Sequence, residues 1–253
     1  MQLSGTAALV TGAASGLGAA TAAHLASLGA TVYGLDLPKA VESAPAQPAG
    51  VTLLGADVTE EQPVREALER IAADGRPLRL AVSCAGIAPS ARVVGRRGPH
   101  DLDLFRGVLN VNLVGTFNVM RLAAEAMSGQ EPDGAGQRGL VVNTASIAAF
   151  EGQVGQIAYA ASKAGVAGMT ITAARDLAQY GIRVVTIAPG IVDTPMMAGF
   201  SEEVRSGLAA TVTFPQRLAR PEEYAKLVAM IADHDYLNGE TIRMDGALRM
   251  SAR

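Results

Sequence analysis

An apolar strand that runs into a glycine-rich turn is the feature that most constrains the fold of this chain. Ala7 to Val10 is such a run, and it leads through glycines at positions 12, 16 and 18 into an alanine-rich helix that ends near Gly29. Glycine permits a tight turn, and the new helix N-terminus offers backbone N–H groups and a positive dipole end to a pyrophosphate. A plain strand-to-helix turn has the same composition. The candidate dinucleotide-binding residues here are Gly12, Ser15, Gly16, Leu17 and Gly18.

The next strand adds a cofactor preference. Thr31 to Leu35 is the predicted strand, and it ends at Asp36. A carboxylate at this place binds both hydroxyl groups of the adenosine ribose and repels a 2′-phosphate. Positions 13–18 and 37–38 hold no arginine or lysine, and Lys39 is the only cation nearby. The sequence therefore predicts NAD rather than NADP.

Strands and helices continue to alternate along the chain. Further strands are predicted at Val51–Gly55, Leu80–Ser83, Leu140–Thr144 and Ile182–Ile187, and a last one within Asn238–Gly246. Helices are predicted at Glu61–Ala73 and Leu102–Met127 and from Pro221 onwards, and surface loops at Pro38–Gly50, Pro89–Asp101 and Ser128–Gly139. With 253 residues, no polar linker and no repeat, this alternation predicts one α/β domain over residues 1–253.

Two segments that follow predicted strands can contact the adenosine half of a dinucleotide. Asp57 and Val58 can lie under the adenine ring, although Asp57 is equally able to cap the following turn. Cys84, Ala85 and Gly86 are small enough to let the backbone approach a ribose. Of the two interpretations of Cys84, a small hydrophobe is favoured over a reactive thiol.

The segment after the strand Ile182–Ile187 is a candidate for the nicotinamide end. Proline and glycine shape a turn there that can present backbone groups to a carboxamide, and the candidate residues are Pro189, Gly190, Val192 and Thr194. Met196 to Leu208 is predicted to form a mobile helix that is apolar on one side. We expect it to belong to a substrate lid at about residues 194–215.

A serine, a tyrosine and a lysine are spaced for proton transfer. Tyr159 and Lys163 are four residues apart in an alanine-rich helix, so both project from one face, and Ser146 follows a predicted strand. A phenol has a pKa near 10, which the lysine and a positively charged nicotinamide are expected to lower. Tyr159 could then exchange a proton with an alcohol oxygen that Ser146 holds. Alone, a Tyr-x-x-x-Lys pair also occurs by chance on many helices.

Other polar residues leave alternatives open. Asn112 lies in an apolar stretch and must find partners. It either breaks a helical hydrogen bond and holds a water that relays protons from Lys163, or it is a satisfied core amide. Arg92, Arg96 and Arg97 share one loop, which is either a solvated charged surface or a contact for a phosphate-bearing substrate.

Composition excludes several classes of function. The net charge is −3 and the pI about 5.7, so no basic field points to nucleic acid. One cysteine excludes an intrachain disulfide framework and fits a reducing compartment such as the cytoplasm. We expect no signal peptide and no membrane helix, because no apolar segment has the required form. The three histidines lack ligand spacing, so no metal site is predicted.

Taken together, these residues resemble the classical short-chain dehydrogenases/reductases over essentially the whole chain. The matching positions are Thr11-Gly12-x-x-x-Gly16-x-Gly18, Asp57, Asn112, Ser146, Tyr159-x-x-x-Lys163, Pro189-Gly190 and Asn238-Gly239. One departure is Ser83-Cys84-Ala85-Gly86, where the family usually has Asn-Asn-Ala-Gly. This departure bears on a side-chain role at Ser83 and not on the fold.

Within the family, the chain is most similar to members that oxidise (S)-3-hydroxyacyl-CoA to 3-ketoacyl-CoA. Similar stretches are residues 36–38, 84–88, 111–119, 130–133, 136–139, 143–146, 149–156 and 238–250. The resemblance implies a Rossmann-type, doubly wound parallel sheet of seven strands flanked by helices, NAD as cofactor and a homotetramer. It also implies tolerance of 2-methyl-branched acyl groups and hydroxysteroids.

The resemblance further implies a role for each site residue. Ser146 and Tyr159 hold the substrate hydroxyl, Lys163 lowers the tyrosine pKa and binds the nicotinamide ribose, Asn112 anchors a water relay, and Gln153 orients the substrate. Two other functions remain open: a steroid, sugar or polyol dehydrogenase of the same family, and a non-catalytic NAD-binding scaffold. Because all four catalytic positions are filled, the sequence argues against the scaffold.

Overall fold

Seven parallel strands form the central sheet in the computed structural model, which describes residues 1–197 and 199–252. In chain order they are β1 (Ala7–Thr11), β2 (Thr31–Asp36), β3 (Val51–Gly55), β4 (Leu78–Ser83), β7 (Gly139–Thr144), β8 (Ile182–Pro189) and β9 (Thr241–Met244). Their order across the sheet is β3-β2-β1-β4-β7-β8-β9, with every neighbouring pair parallel. A separate antiparallel hairpin consists of β5 (Val94–Gly95) and β6 (Gly98–Pro99).

Helices connect the strands and cover both faces of the sheet. They are α1 (Gly16–Ser27), α2 (Pro38–Ser43), α3 (Glu61–Ala73), α4 (Leu102–Leu109), α5 (Thr116–Ser128), α6 (Ala148–Glu151), α7 (Ile157–Leu177), α8 (Glu202–Ala210) and α9 (Pro221–Asp233). A π-helix at Asn110–Gly115 joins α4 to α5, and short 3₁₀ turns lie at Ala178–Tyr180 and Pro195–Met197.

Alternate residues of each strand enter opposite cores. In β1, Ala7 and Leu9 belong to a buried cluster with residues of α3, α5 and α7, whereas Ala8 and Val10 belong to a cluster with residues of α1 and α9. Because both faces are covered, the strands are predominantly apolar rather than strictly alternating between apolar and polar residues. This arrangement confirms the predicted doubly wound sheet of seven strands.

The predicted strands are confirmed with small changes at their ends, and the predicted helix from Leu102 to Met127 is confirmed as a continuous helical run whose middle, Asn110–Gly115, is the π-helix. Two predictions about loops are wrong. Residues 38–50 were predicted to be a loop, yet they begin with α2, since Pro38 occupies the first turn of a helix, where its missing N–H costs nothing. The predicted loop 89–101 contains the β5–β6 hairpin.

The predicted lid helix also needs correction. It begins at Glu202 rather than at Met196, because the Ser201 side chain accepts a hydrogen bond from the backbone N–H of Val204 and acidic residues follow in the first turn. Pro195–Met197 forms a 3₁₀ turn instead, and Ala198, which the prediction included, lies outside the described residues. Among the described residues, no helix combines the length and apolarity needed to cross a bilayer.

Glycines permit close backbone contacts at the turn between β1 and α1. Gly12 has a φ of +66°, and a Cβ there would lie 2.9 Å from the backbone nitrogen of Ala85. A Cβ on Gly18 would overlap the carbonyl group of Gly12. The glycine spacing therefore allows α1 to start directly against the ends of β1 and β4.

Gly18→Ala should lower the free energy of unfolding by about 2–3 kcal/mol, because the added methyl group meets a backbone carbonyl that cannot move away. Gly107→Ala is the matched control. Gly107 lies on the exposed face of α4 with open space around it, so its replacement should raise stability by about 0.8 kcal/mol. Urea unfolding midpoints measure both variants. Equal effects of the two substitutions would contradict this account of the turn.

Candidate active site

The candidate cofactor residues lie together along one edge of the sheet. Gly12 follows β1, Asp36 ends β2, Asp57 follows β3 and Cys84 follows β4. In parallel strands all carboxyl ends meet at the same edge, and a crevice opens where the strand order reverses. Here β1 lies between β2 and β4, so the crevice opens beside the glycine turn.

The first turn of α1 is open to an anion. Ser15 has an extended conformation and its side chain forms no cap, and the first turn holds no acidic residue. The backbone N–H groups of residues 16–18 therefore point into the crevice at the positive end of the helix dipole. This geometry fits a pyrophosphate.

Asp36 is fixed beside this turn by two backbone hydrogen bonds. Its Oδ2 atom accepts one from the N–H of Ala14 at 2.9 Å, and its Oδ1 atom accepts one from the N–H of Leu37 at 2.9 Å. The bond to Ala14 joins the end of β2 to the glycine turn. The carboxylate thus has one orientation next to the place where an adenosine ribose fits.

The structure supports the capping alternative for Asp57. Its Oδ1 atom accepts hydrogen bonds from the N–H and the hydroxyl group of Thr59 at 2.9 and 2.8 Å. The Val58 side chain is buried, and its carbonyl oxygen accepts a hydrogen bond from Asn118 at 2.9 Å. The two residues stand at the carboxyl end of β3, at the far end of the same crevice.

The turn after β4 approaches the glycine turn closely. The hydroxyl group of Thr11 accepts hydrogen bonds from the N–H groups of Cys84 and Ala85, both at 3.1 Å. The Cys84 thiol lies near the hydroxyl groups of Thr144 and Tyr224, and burial raises its pKa. A raised pKa disfavours the nucleophilic thiolate, which agrees with the interpretation of Cys84 as a small hydrophobe. At the departure from the family pattern, the Ser83 hydroxyl is buried without a partner among the described residues.

The segment after β8 returns to the glycine turn. Gly190 donates a backbone hydrogen bond to Met244 in β9 at 2.9 Å, and Val192 is buried and bridges to Ala219. Thr194 lies 3.5 Å from the position that a Cβ on Gly16 would occupy. The start of the predicted lid therefore adjoins the N-terminus of α1. Pro189, the remaining candidate in this segment, is the last residue of β8.

Ser146 and Tyr159 meet at the end of β7. The Ser146 hydroxyl accepts a hydrogen bond from the N–H of Ala148 at 3.1 Å, and it lies close enough to the phenol of Tyr159 to influence the pKa of that phenol. Burial raises the pKa of Tyr159 above its ordinary value, and the neighbouring Ser146 hydroxyl opposes the rise. The expected lowering of the tyrosine pKa is therefore wrong for the protein groups taken by themselves, because burial outweighs the favourable contact.

Lys163 lies beneath the phenol. Its Nζ atom donates a hydrogen bond to the carbonyl oxygen of Thr144 at 2.7 Å and stands 5.7 Å from the centre of the Tyr159 ring. Burial lowers the pKa of Lys163 to about 8. A Cβ on Gly86 would lie 3.7 Å from this Nζ atom, an ordinary contact distance, and 3.1 Å from the Oδ1 atom of Asn112, which is a tight one.

Asn112 has partners for its whole side chain. Its Oδ1 atom accepts a hydrogen bond from the N–H of Ile87 at 2.8 Å, and its Nδ2 atom donates to the carbonyl oxygen of Ile87 and to the hydroxyl group of Ser162 at 2.9 and 3.0 Å. The side chain is therefore a satisfied core amide. It lies in the π-helix, so the helical hydrogen-bond pattern is also interrupted there, as the other alternative predicted.

The remaining substrate candidates lie at the rim of the crevice. The Nε2 atom of Gln153 donates a hydrogen bond to the carbonyl oxygen of Ser251 at 3.2 Å, so this side chain is engaged by the C-terminal segment. Arg92, Arg96 and Arg97 are exposed on or beside the β5–β6 hairpin. Within the described part of the chain, no ion pair is found for any of the three.

Comparisons with known sequences and structures indicate the same class of protein as the geometry of the site. A family model described as short chain dehydrogenase matches residues 6–205. The 3-hydroxyacyl-CoA dehydrogenase type-2 of Bos taurus is 51% identical over 250 residues, which covers 97% of this chain and 96% of the bovine protein. The protein of the same name from Drosophila melanogaster is 51% identical over 246 residues and 96% of each chain. The crystal structure of 3-hydroxyacyl-CoA dehydrogenase type-2 from Mycobacterium avium superposes with a TM-score of 0.92 at 41% identity, covering 100% of this chain and 99% of that chain.

The chain therefore belongs to the short-chain dehydrogenase family. It is an oxidoreductase that uses a nicotinamide dinucleotide and acts on a small molecule. The open first turn of α1 and the fixed carboxylate of Asp36 fit such a cofactor. Within the described residues, no group of three His, Cys, Asp or Glu side chains is arranged to hold a metal ion.

Two polar residues beside the site were not predicted. The Thr144 carbonyl positions Lys163, and the Thr144 hydroxyl donates a hydrogen bond to the carbonyl oxygen of Ser83 at 2.6 Å and contacts the hydroxyl group of Tyr224 at 2.7 Å. Tyr224 is fully buried in α9, 80 residues further along the chain. A polar residue at the end of an apolar strand was a signal for Thr144. No local signal indicated Tyr224.

Lys163→Met should stabilise the fold at pH 7, because the wild-type ammonium is buried at a cost. Burial lowers the pKa of Lys163 from 10.5 to about 8, which lowers the free energy of unfolding of the wild type by about 3 kcal/mol at pH 7. The variant also loses the hydrogen bond to Thr144, so its free energy of unfolding should exceed that of the wild type by about 2 kcal/mol. Between pH 8 and pH 10.5 the unfolded chain binds more protons than the folded one, so wild-type stability rises with pH and the advantage of the variant shrinks. Urea unfolding at pH 7, 8, 9 and 10 measures this.

Lys226→Met is the control for this comparison, since Lys226 is exposed on α9. It should show no such pH dependence relative to the wild type. A stability difference between Lys163→Met and the wild type that stays constant from pH 7 to pH 10 would mean that burial does not perturb Lys163.

Proposed function

We propose that the protein is an NAD-dependent dehydrogenase that oxidises (S)-3-hydroxyacyl-CoA to 3-ketoacyl-CoA. The observation that carries the reaction class is the position of the buried Lys163 ammonium, 5.7 Å from the centre of the Tyr159 ring, with the Ser146 hydroxyl beside the phenol. The substrate class follows from the relatives named 3-hydroxyacyl-CoA dehydrogenase type-2, whose similarity extends over nearly the whole chain.

Each catalytic candidate has a proposed task. Ser146 holds the substrate hydroxyl by a hydrogen bond, and Tyr159 as phenolate takes the proton of that hydroxyl. Lys163 stabilises the phenolate electrostatically and binds the nicotinamide ribose. A bound oxidised nicotinamide would supply a hydride acceptor for the carbinol carbon and a positive charge that would lower the pKa of Tyr159. Asn112, in the π-helix, anchors a water-mediated path for the proton. Because its side chain is fully hydrogen-bonded, we propose that its backbone holds the water.

The dinucleotide is proposed to lie along the carboxyl edge of the sheet. The N–H groups of the first turn of α1 bind the pyrophosphate, and Asp36 binds the adenosine ribose. Asp57 and Val58 border the adenine ring, and Cys84 to Gly86 border a ribose. The nicotinamide carboxamide then meets the segment Pro189 to Thr194.

The substrate is proposed to enter between three rim segments: the loop that carries Gln153, the lid at residues 194–215 and the β5–β6 hairpin. Arg92, Arg96 and Arg97, for which no ion pair is found among residues 1–197 and 199–252, offer positive charge for the phosphates of coenzyme A. The proposal also keeps one catalytic domain over residues 1–253, a homotetramer and a cytoplasmic location. The single domain is supported by the continuous sheet, and the homotetramer by the family resemblance. The cytoplasmic location is supported by the single cysteine.

Tyr159→Phe should abolish the oxidation of (S)-3-hydroxybutyryl-CoA, because the general base is lost while the ring that shapes the site remains. A loss of at least about a thousandfold in kcat is expected. The dissociation constant for NAD, measured by fluorescence, should stay within about twofold as a control for folding. NADH formation is followed by absorbance with the (S) and (R) thioesters and with a steroid panel. Activity retained by the variant, or a wild type that oxidises steroids but no thioester, would contradict the proposal.

The wild-type enzyme should prefer NAD to NADP by at least about a hundredfold in kcat/KM, since the fixed Asp36 carboxylate repels a 2′-phosphate. Initial rates with each cofactor at saturating substrate measure this ratio. In Asp36→Asn the repulsion is gone, so the preference should narrow. A higher kcat/KM with NADP in the wild type would refute the assignment.

A further inference from the structure

The C-terminal segment, residues 247–252, lies along the loop of residues 147–156 that joins Ser146 to α7. The backbone N–H of Met250 donates a hydrogen bond to the Glu151 carboxylate at 2.9 Å. Gln153 donates from its side chain to the carbonyl oxygen of Ser251 at 3.2 Å, and the N–H of Val154 donates to the carbonyl oxygen of Ala252 at 3.2 Å. The contacts advance along both segments in the same direction. We call this loop the 147–156 loop.

A closed ring of four charged residues joins the two segments. Arg243 in β9 contacts Glu151 at 2.9 Å and Asp245 at 2.7 Å. Arg249 contacts the same two carboxylates at 3.4 and 3.2 Å. The Asp245 side chain is only 8% exposed, so at least part of the ring is shielded from solvent. Each charge in the ring therefore has two opposite neighbours.

The backbone of the C-terminal segment also depends on this ring. Ala247 has a φ of +62°, and among the described residues no other non-glycine residue has a positive φ. The N–H of Ala247 donates a hydrogen bond to Asp245 at 3.0 Å, and Arg243 donates one to the carbonyl oxygen of Leu248 at 3.1 Å. A residue in this region of backbone space persists only where surrounding contacts determine it. Arg243 and Asp245 supply those contacts.

The opposite side of the 147–156 loop is held by the start of the arginine-bearing segment. The N–H of Ala91 donates a hydrogen bond to the carbonyl oxygen of Gly155 at 2.9 Å, and a Cβ on Gly155 would overlap the hydroxyl group of Ser90. At the inner end, the N–H of Ile147 donates to the carbonyl oxygen of Pro189 at 3.0 Å. Within the described residues, the ring around Glu151 is the one set of ion pairs that ties the loop to the C-terminal segment.

We propose that Glu151 is a positioning residue for the substrate, because it fixes the 147–156 loop against Arg243, Arg249 and the C-terminal segment. Glu151 itself does not touch the reacting atoms. It acts through the loop, which bears Gln153 and connects Ser146 to Tyr159. The identity of the substrate rests on the proposed function, whereas the coupling of the two segments does not.

The test compares Glu151→Gln with Glu69→Gln, which removes the same charge from an exposed face of α3 where no contact of Glu69 is found within the described residues. Backbone hydrogen–deuterium exchange is measured for peptides that cover residues 147–156, 247–252 and 7–19. In Glu151→Gln the peptides of residues 147–156 and 247–252 should both exchange faster, because the hydrogen bonds donated by Met250 and Val154 open. The exchange of residues 7–19 should be unchanged. Glu69→Gln should match the wild type throughout.

Kinetics show whether the loop positions the substrate. In Glu151→Gln the KM for the thioester should rise about fivefold, the size expected for a lost, partly exposed ion pair. The kcat and the dissociation constant for NAD should stay within about twofold. If Glu151→Gln does not fold, Arg249→Gln should show the same pattern more weakly, since Arg249 is 63% exposed and forms the longer contacts.

Unchanged exchange in both segments would overturn the proposed coupling. Faster exchange with an unchanged KM would overturn the positioning role. If the wild type oxidises no thioester, the proposed function fails on its own, and KM is then measured with whichever secondary alcohol the wild type accepts. The exchange experiment keeps its meaning in either case, because it requires no turnover.

Discussion

The hydrogen bond from the buried ammonium of Lys163 to the carbonyl oxygen of Thr144 is the interaction on which the arrangement of the site depends. At 2.7 Å it joins α7 to the last residue of β7. Tyr159 lies one helical turn before Lys163, and Ser146 lies two residues after Thr144, so this one bond brings phenol and hydroxyl together. It also has a cost, since burial that lowers the pKa of Lys163 to about 8 disfavours the folded state at neutral pH. The same burial that positions the Lys163 ammonium therefore lowers the stability of the fold.

The parallel sheet supplies the other half of the arrangement. Because all its strands point in one direction, residues that are far apart in the chain meet along its carboxyl edge. Close packing there requires Gly12 and Gly18, whose missing side chains let the turn after β4 and the start of α1 approach each other. The bond from Ala14 to Asp36 then joins that turn to β2. The candidate residues for the cofactor and for proton transfer therefore lie along a single edge of the sheet.

Much of the fold could be predicted from the sequence because its signals are local. Apolar runs bounded by glycine and polar residues marked the strands, and the spacing of Tyr159 and Lys163 placed both on one helix face. The sequence could not decide between the two alternatives for Asn112, since its side chain reaches its partners Ile87 and Ser162 only in the folded chain. The raised pKa of Tyr159 likewise follows from burial, which spacing does not reveal.

The rim of the site was also hidden from local signals. Gln153 is engaged by Ser251, 98 residues later in the chain, so its environment depends on tertiary contacts. The lid helix begins where Ser201 caps it, and apolar periodicity alone had extended it towards the preceding turn. Charges separated by about 90 residues, such as Glu151 and Arg243, meet only because β9 lies beside β8.

A crystal structure of the protein with bound NAD tests the central claim most directly, namely that one edge of the sheet joins the dinucleotide site to the Ser146–Tyr159 pair. The account predicts the adenosine ribose hydroxyls at hydrogen-bonding distance, about 2.6–3.2 Å, from the Asp36 carboxylate. It also predicts the nicotinamide ring beside Tyr159, with its ribose on Lys163. A nicotinamide ring far from Tyr159, or a ribose turned away from Asp36, would contradict it.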